Sequence, residues 1–438
     1  MNLAGRALRD PAAVFGVGPR DRTTFMDNIY IVGVGMTLFG RHLDKSDKQL
    51  TELAVTEALS DAGCGPSDIR AAFFGNCGQG YMQGQHMIRG QVALLPIGLQ
   101  GIPVINVENA CATASTAFHM AVSYLRAGMA DVALAVGTEK MVSTDKAKMF
   151  GVFDSGWDIE AADEIRQRFQ SIAADVKGPP GSESPRPYSP FMSVYAAFAR
   201  QFIQHYGVTQ RQLAVIAAKN HTHARHNERA QYRDPMTPEE VLAAPAITYP
   251  LTLPMCAPIS DGSAAAVVCN ESGLKRLGVD RRRAVRVLAS VMRAASGRAP
   301  DDLDHHLTRL ASQDAYRQAA VGPKDIDVAE VHDATAMGEL MQTEMLGFCG
   351  PGEAGPFAES GATTLGGRIP INPSGGLESK GHPIGATGLG QIFELVSQLR
   401  GECGPRQVQG ARIAMQENGG GIWGIEESSA HIGIYAAA

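Results

Sequence analysis

The sequence predicts an α/β protein built from two related halves. Three observations carry that expectation: a strand, helix, strand phrase near the start, a Gly-Pro-x-Asp-Ile phrase that occurs twice, and a small-residue motif in each half that leads into a helix. At 438 residues the chain exceeds the usual limit of one hydrophobic core, so a duplicated architecture also suits its length.

NIYIVGVGMTLFG, residues 28–40, is an apolar run closed by glycines, the pattern of a buried strand. In QLTELAVTEALSDAG, Leu50, Leu53, Ala54, Ala58 and Leu59 recur at helical spacing and Gly63 ends the helix. DIRAAFFGNC returns to a strand, and this order predicts parallel pairing through a crossover helix. GPSDIRAAFFGNC starts at Gly65 and GPKDIDVAEVHDA at Gly322, 257 residues later. That interval is too long for a solenoid repeat and marks a duplicated half. The two helix entrances are NACATASTAFHMAVSYLRAG and SKGHPIGATGLGQIFELVSQLRG, each with a candidate catalytic side chain where backbone N–H groups are unpaired. Between them KGPPGSESPRPYSP is loop, while FMSVYAAFARQFIQHYG, TQRQLAVIAAKNHTHARHN and MTPEEVLAAP, capped from Thr237, are helices. They make residues from about 150 to 250 a helical excursion, after which DGSAAAVVCN rejoins the sheet. The predicted division is a loosely ordered extension over 1–27, a first half over 28–275 containing the excursion, and a second half over 276–438.

With 44% apolar and 19% charged residues the composition is that of ordinary globular protein. A formal net charge of -6 leaves no basic excess to neutralise phosphates, which argues against nucleic-acid binding and for small-molecule or protein partners. No apolar run is long enough to span a bilayer, and Asp10 and Asp21 interrupt the arginines of the extension, against a secretory or targeting peptide. The seven cysteines are never closer than 13 residues, so neither a paired disulfide framework nor a C-x2-C zinc site is drawn from them. A reducing cytoplasm is the expected location, and no metal is expected.

Cys111, in NVENACATASTAF, stands where an apolar run breaks into small and hydroxylated residues. Cysteine alone reads first as a small buried side chain. A helix N-terminus and a neighbouring imidazolium, however, would lower its thiol pKa below the ~8.5 of a free cysteine. Two histidines stand in unusual settings: His382 in the glycine-flanked turn SKGHPIGATG, and His332 directly after the apolar strand DVAEV. The other ten histidines, including the run HTHARHN, are expected on solvated helix surface. QENGGGIWG follows the strand GARIAM and offers bare N–H groups to a developing oxyanion. Gly419 to Gly424 also spell G-x-G-x-x-G, but 14 remaining residues cannot supply the helix and second strand of a dinucleotide fold. One cysteine, two histidines and a glycine nest at matching ends of two halves make an acyl-transfer set, and jointly favour Cys111 as a nucleophile.

These residues resemble the thiolases, and within them the sterol-carrier-protein-2-type or lipid-transfer members, which include acetyl-CoA acetyltransferase-like proteins. NACATASTAF, GTEKM, KNHTHARHNERAQYR, ISDGSAAAVV, EVHDATA and INPSGGLESKGHPIGATGLGQ are similar to the family's blocks in the same order, from about residue 28 to the C-terminus. The resemblance implies two βαβαβαββ halves in a five-layer αβαβα arrangement, with a helical loop domain inserted in the first. It implies a homodimer or dimer of dimers and coenzyme A thioesters as substrates, with no tightly bound cofactor. It implies that Cys111 is acylated, that His382 takes its proton, and that His332 holds a catalytic water. The N–H groups of Cys111 and Gly419 would then form the oxyanion hole around the acyl-enzyme.

The family's second cysteine, which moves the α-proton, is missing: its two usual positions hold Glu417 and Ala334. Glu417 is the expected substitute base, because a carboxylate in a dry pocket titrates closer to neutrality. The leading expectation is an acyl-CoA C-acyltransferase that cleaves 3-ketoacyl-CoA with coenzyme A or runs the reverse Claisen condensation. Three alternatives stand beside it: an acyl-CoA or lipid-binding subunit that needs a small OB-fold and zinc-ribbon partner, a retro-aldolase, and a polyketide-type condensing enzyme.

Overall fold

The computed structural model describes residues 28–437, so the predicted extension over 1–27 lies outside the described residues. The first half runs β1 (Ile29–Met36), α1 (Asp47–Asp61), β2 (Ala71–Gly75), α2 (Arg89–Leu94), β3 (Val104–Val107), α3 (Thr113–Arg126) and β4 (Val132–Glu139). The excursion follows as α4 (Ala162–Ser171), α5 (Pro190–Tyr206), α6 (Gln210–Ala224) and α7 (Pro238–Ala243). The chain returns through β5 (Gly262–Cys269) and α8 (Glu271–Leu277). The second half runs β6 (Val285–Ala294), α9 (Leu307–Ala319), β7 (Val328–Glu330), α10 (Ala336–Met345), α11 (Thr387–Arg400), β8 (Ile413–Gly420) and β9 (Ser429–Ala437).

The sheet order is β3-β2-β4-β5-β1-β6-β9-β8-β7. Read outward from the centre, the two sides match. β1 pairs antiparallel with β5 as β6 does with β9, and β5 with β4 as β9 with β8. β4 is parallel to β2 as β8 is to β7, and the second-half counterpart of β3 shrinks to a single parallel bridge between Ala329 and Ile371. The halves meet where Ile29, Tyr30 and Ile31 of β1 pair with Val287, Arg286 and Val285 of β6. β1 and β2 share a direction, as the crossover pattern predicts, but β4 and β5 lie between them.

Strands buried on both faces explain the near-continuous apolar runs. Ile29, Ile31 and Phe73 turn inward onto α3 and α11 together with Val287, Ala414 and Tyr435 of the second half. Tyr30, Val32 and Phe74 turn outward onto α1, α2 and α8, and Met415 and Ile434 outward onto α9. The layers are thus helix, half-sheet, the α3 and α11 pair, half-sheet, helix. Each Gly-Pro-x-Asp-Ile phrase forms the same turn, in which the aspartate accepts from the glycine N–H, at 3.0 Å in Asp68 and 2.8 Å in Asp325. Leu274 packs with the first half, so the change of halves follows α8 rather than cutting it at residue 275.

The excursion between β4 and β5 has its own core of Phe169, Phe198, Leu213 and Val241. Met337, Leu340 and Met341 of α10 complete that core, so the second half helps build the inserted domain. His221 and His223 of HTHARHN are buried on α6 rather than solvated, and their rings donate to Pro254 O at 3.2 Å and Asn372 O at 3.0 Å. His119, His306 and His431 likewise depart from the expected solvated surface: His119 is part-buried and the other two are fully enclosed. No helix among the described residues is long and apolar enough to cross a membrane.

Phe118 of α3 meets Tyr435 of β9 edge-on with ring centroids 5.8 Å apart, a contact between the halves in the central layer. Phe118→Ala should cost about 3–5 kcal/mol, seen as a lower urea midpoint in equilibrium unfolding.

Candidate active site

α3 and α11 are the two helices whose entrances carry the candidate residues, and they pack on each other between the half-sheets. Cys111 lies in a tight turn, Ala110–Ala112, just ahead of α3, and Ala110 holds a left-handed φ of 47°. His382 lies in the turn ahead of α11, and His332 between β7 and α10. Cys111 Sγ and one ring nitrogen of each histidine all lie within 4.8 Å of one another. They share a small cavity of about 60 Å³ with Phe153, Phe191, Met192, Tyr195 and Glu427.

The turns are held by carboxylates. Glu139, at the end of β4, accepts from Cys77 N at 3.0 Å, Gly78 N at 3.0 Å and Asn76 Nδ2 at 3.1 Å in the first half, and from Gly385 N at 3.1 Å in the His382 turn. Asp333, beside His332, accepts at 2.8 Å from Leu377 N of the short helix Gly376–Lys380, just ahead of the His382 turn. Asp333, Glu339 and Glu378 converge on one donor, Asn220 Nδ2, at 3.1, 3.0 and 2.9 Å. Burial and mutual repulsion hold the carboxyls of Asp333 and Glu378 well above their ordinary range.

The hydrogen bonds fix the tautomer of His382. The Thr387 hydroxyl donates to Pro383 O at 3.1 Å, so it accepts from His382 Nδ1–H at 2.7 Å. Nε2 is then a lone pair available to the thiol. Burial, with help from His332 and Lys380, keeps His382 well below its ordinary pKa, and burial takes His332 down to about 4. Both ring nitrogens of His332 lack a partner within the chain.

Three sequence expectations need correction. Burial, then Glu139, Glu427 and Glu108, push the Cys111 thiol up to about 12, opposed by the Gly421 N–H. The expected lowering by helix and imidazolium does not occur, because desolvation acts on the thiolate and both imidazoles are neutral. Glu417 is fully buried, but Oε2 accepts from His332 N at 2.8 Å and the residue is not part of the cavity wall. Strand alternation on β8 turns it away from α3, whose Ser115 bonds the neighbouring Asn418 at 2.7 Å. Gly419 is not at the wall either; Gly420 and Gly421 are. A Cβ at Gly420 would lie 2.8 Å from Cys111 N, so glycine lets the Cys111 turn rest against the end of β8. Glu427, Tyr195, Thr387 and Glu139 were not singled out from sequence as site residues.

The chain matches the family description thiolase, N-terminal domain, over residues 29–244 and thiolase C-terminal domain-like over residues 290–432. The acetyl-CoA acetyltransferase of Methanothermobacter thermautotrophicus is 36% identical, over 91% of this chain and 98% of that protein. The benzoylsuccinyl-CoA thiolase subunit BbsB of Thauera aromatica is 34% identical, over 90% and 94%. A solved structure, the Ltp2-ChsH2(DUF35) aldolase, shares the fold with a TM-score of 0.73 at 22% identity, over 94% of this chain and 98% of that one. The chain belongs to the thiolase family.

A thiol held up to about 12 has no thiolate plateau near neutrality. Alkylation of Cys111 by iodoacetamide, followed by peptide mass, should keep rising about tenfold per pH unit through pH ~9; a plateau below pH ~7 would contradict this. Thr387→Val should free the His382 tautomer and lower kcat by roughly 10- to 100-fold, part of the ~100- to 10,000-fold that a general base supplies.

Proposed function

We propose that this thiolase-family chain is an acyl-CoA C-acyltransferase working through an acyl-Cys111 intermediate. The observation that carries the reading is the meeting of one sulfur and two unprotonated imidazoles within 4.8 Å in a buried cavity. In the resting site thiol and imidazole are both neutral, so His382 Nε2 takes the thiol proton as sulfur attacks the thioester carbonyl. The N–H groups of Cys111 and Gly421 face the oxyanion that forms there, and His332 faces the carbonyl of the second thioester. In cleavage, a 3-ketoacyl-CoA loses its Cα–Cβ bond to Cys111, and coenzyme A then removes the acyl group. The reverse order is a Claisen condensation.

Coenzyme A thioesters are substrates in this reading, and no tightly bound cofactor is part of it. Self-association is read at β3, the sheet edge, beside Met87 and Ile88, which are 77% and 60% exposed. A second reading, in which turnover waits on a partner protein, is favoured by the relative named as a thiolase subunit. Rates measured with the purified chain alone separate the two.

Incubation with acetyl-CoA should add one acetyl mass to the intact protein, and Cys111→Ala should abolish the adduct. Equal labelling of the variant would end the acyl-cysteine reading.

A further inference from the structure

Two adjacent carboxylates in the turn between β8 and β9 have opposite surroundings. Glu426 is fully engaged: Oε1 accepts from Ser296 N at 2.6 Å and Ser296 Oγ at 2.7 Å, and Oε2 from Arg298 Nε at 3.2 Å and Leu307 N at 3.0 Å. Glu427 points the other way, into the cavity with Cys111, His332 and His382. It is 3% exposed, its Oε1 has one long contact to Gln342 Nε2 at 3.4 Å, the Tyr195 hydroxyl and its own backbone N–H favour its charged form, and its Oε2 has no close hydrogen-bond partner. A buried carboxylate oxygen without a donor is costly unless a bound group completes it.

The path of this side chain explains a glycine. A Cβ at Gly419 would lie 2.9 Å from Glu427 Cγ and 3.1 Å from Glu427 Cδ, so the bare strand lets the carboxylate cross β8 to reach the nucleophile. Gly419 thereby acts through space it leaves empty. Ala334, where the family's second thiol is absent, lines the same cavity and leaves its wall without a proton carrier at that point.

We infer that Glu427 is the acid/base that moves the α-proton in place of the missing second cysteine. In condensation the Glu427 carboxylate takes a proton from the α-carbon of the second acyl-CoA. The carbanion electron pair forms the new C–C bond to the acyl-Cys111 carbonyl carbon. The C–S bond to Cys111 breaks, and the proton that Glu427 has taken passes to the departing thiolate, restoring the Cys111 thiol and the Glu427 carboxylate; the proton that His382 took during acylation has already left with coenzyme A. In cleavage the protonated carboxyl returns that proton to the α-carbon as the Cα–Cβ bond breaks. Proton count and electron pairs balance with no further reagent. Burial and neighbouring Glu426 push the Glu427 carboxyl up to about 7, where both forms are populated near neutral pH. The ionisable groups around it are Glu417, Glu426, Arg298, Tyr195, Cys111, His332 and His382.

This inference rests on the thiolase reading, and one experiment separates their failures. The protein is incubated with acetyl-CoA in D2O, and two signals are followed by mass: acetylation of Cys111, and deuterium entering the acetyl methyl group. Glu427→Gln should still acetylate Cys111 while exchange falls by ~100-fold or more, the usual share of a general base. Glu427→Asp should restore part of the exchange. In the wild type, exchange should rise with pH through about 7, the value for Glu427, and that step should vanish in Glu427→Gln. If Glu427→Gln exchanges at the wild-type rate, the assignment of Glu427 is wrong and the acyl-cysteine reading survives. If the wild type neither acetylates nor exchanges, the thiolase reading itself fails. Should Glu427→Gln not fold, the wild-type pH profile decides: exchange with no step near 7 overturns the assignment.

Discussion

The packing of α3 against α11, across the axis that relates the two halves, decides where Cys111 and His382 can meet. Each helix brings a tight turn to the same end of the central layer, Cys111 in one and His382 in the other. Because the layer is enclosed by half-sheets on both sides, half-buried Cys111 and buried His332 and His382 are largely desolvated. The chemistry follows from that dryness. Thiol and imidazole rest uncharged, and in the proposed reaction charge appears only as a thioester carbonyl receives it.

Around that pair, anchoring is done largely by carboxylates bonded to backbone N–H groups. Glu139 spans both halves, and Asp333 ties the histidine after β7 to the short helix just ahead of the His382 turn. Backbone amides are rigid donors whose positions are set by the fold, so they locate a side chain better than another mobile side chain would. The inserted domain adds the roof: Tyr195, Phe191 and Met192 come from α5 and close the cavity that the two halves leave open. Since α10 of the second half shares the core of that domain, the roof and His332 are mechanically joined.

Much of this was legible in the sequence. The repeated Gly-Pro-x-Asp-Ile turn, the two small-residue helix entrances and the capped helices depend on local rules, and they fold as those rules predict. Cys111, His332 and His382 were visible because each stands at an element boundary. What escaped was set by long-range contact. Glu427 lies ten residues after Glu417 and reaches the cavity only by crossing a neighbouring strand, a route that no spacing rule encodes. Gly419 was noticed for its N–H, whereas the structure uses its lack of a side chain. The buried histidines of α6 escaped because their acceptors are carbonyls from distant segments, more than 30 positions away for His221 and 149 for His223. The sign of the Cys111 shift was missed because the sequence shows helices and charges but not dryness.

The place of β1 in the sheet has a consequence for how the chain is made. β1 is synthesised first yet sits at the centre, and its partner residues Tyr30 and Cys269 are separated by 239 positions. At ~5–20 residues per second, a ribosome exposes this apolar strand for roughly 10 to 50 seconds before its neighbours exist. Nascent chains of this protein therefore carry an unmatched apolar strand through more than half of translation, until β5 and β6 emerge.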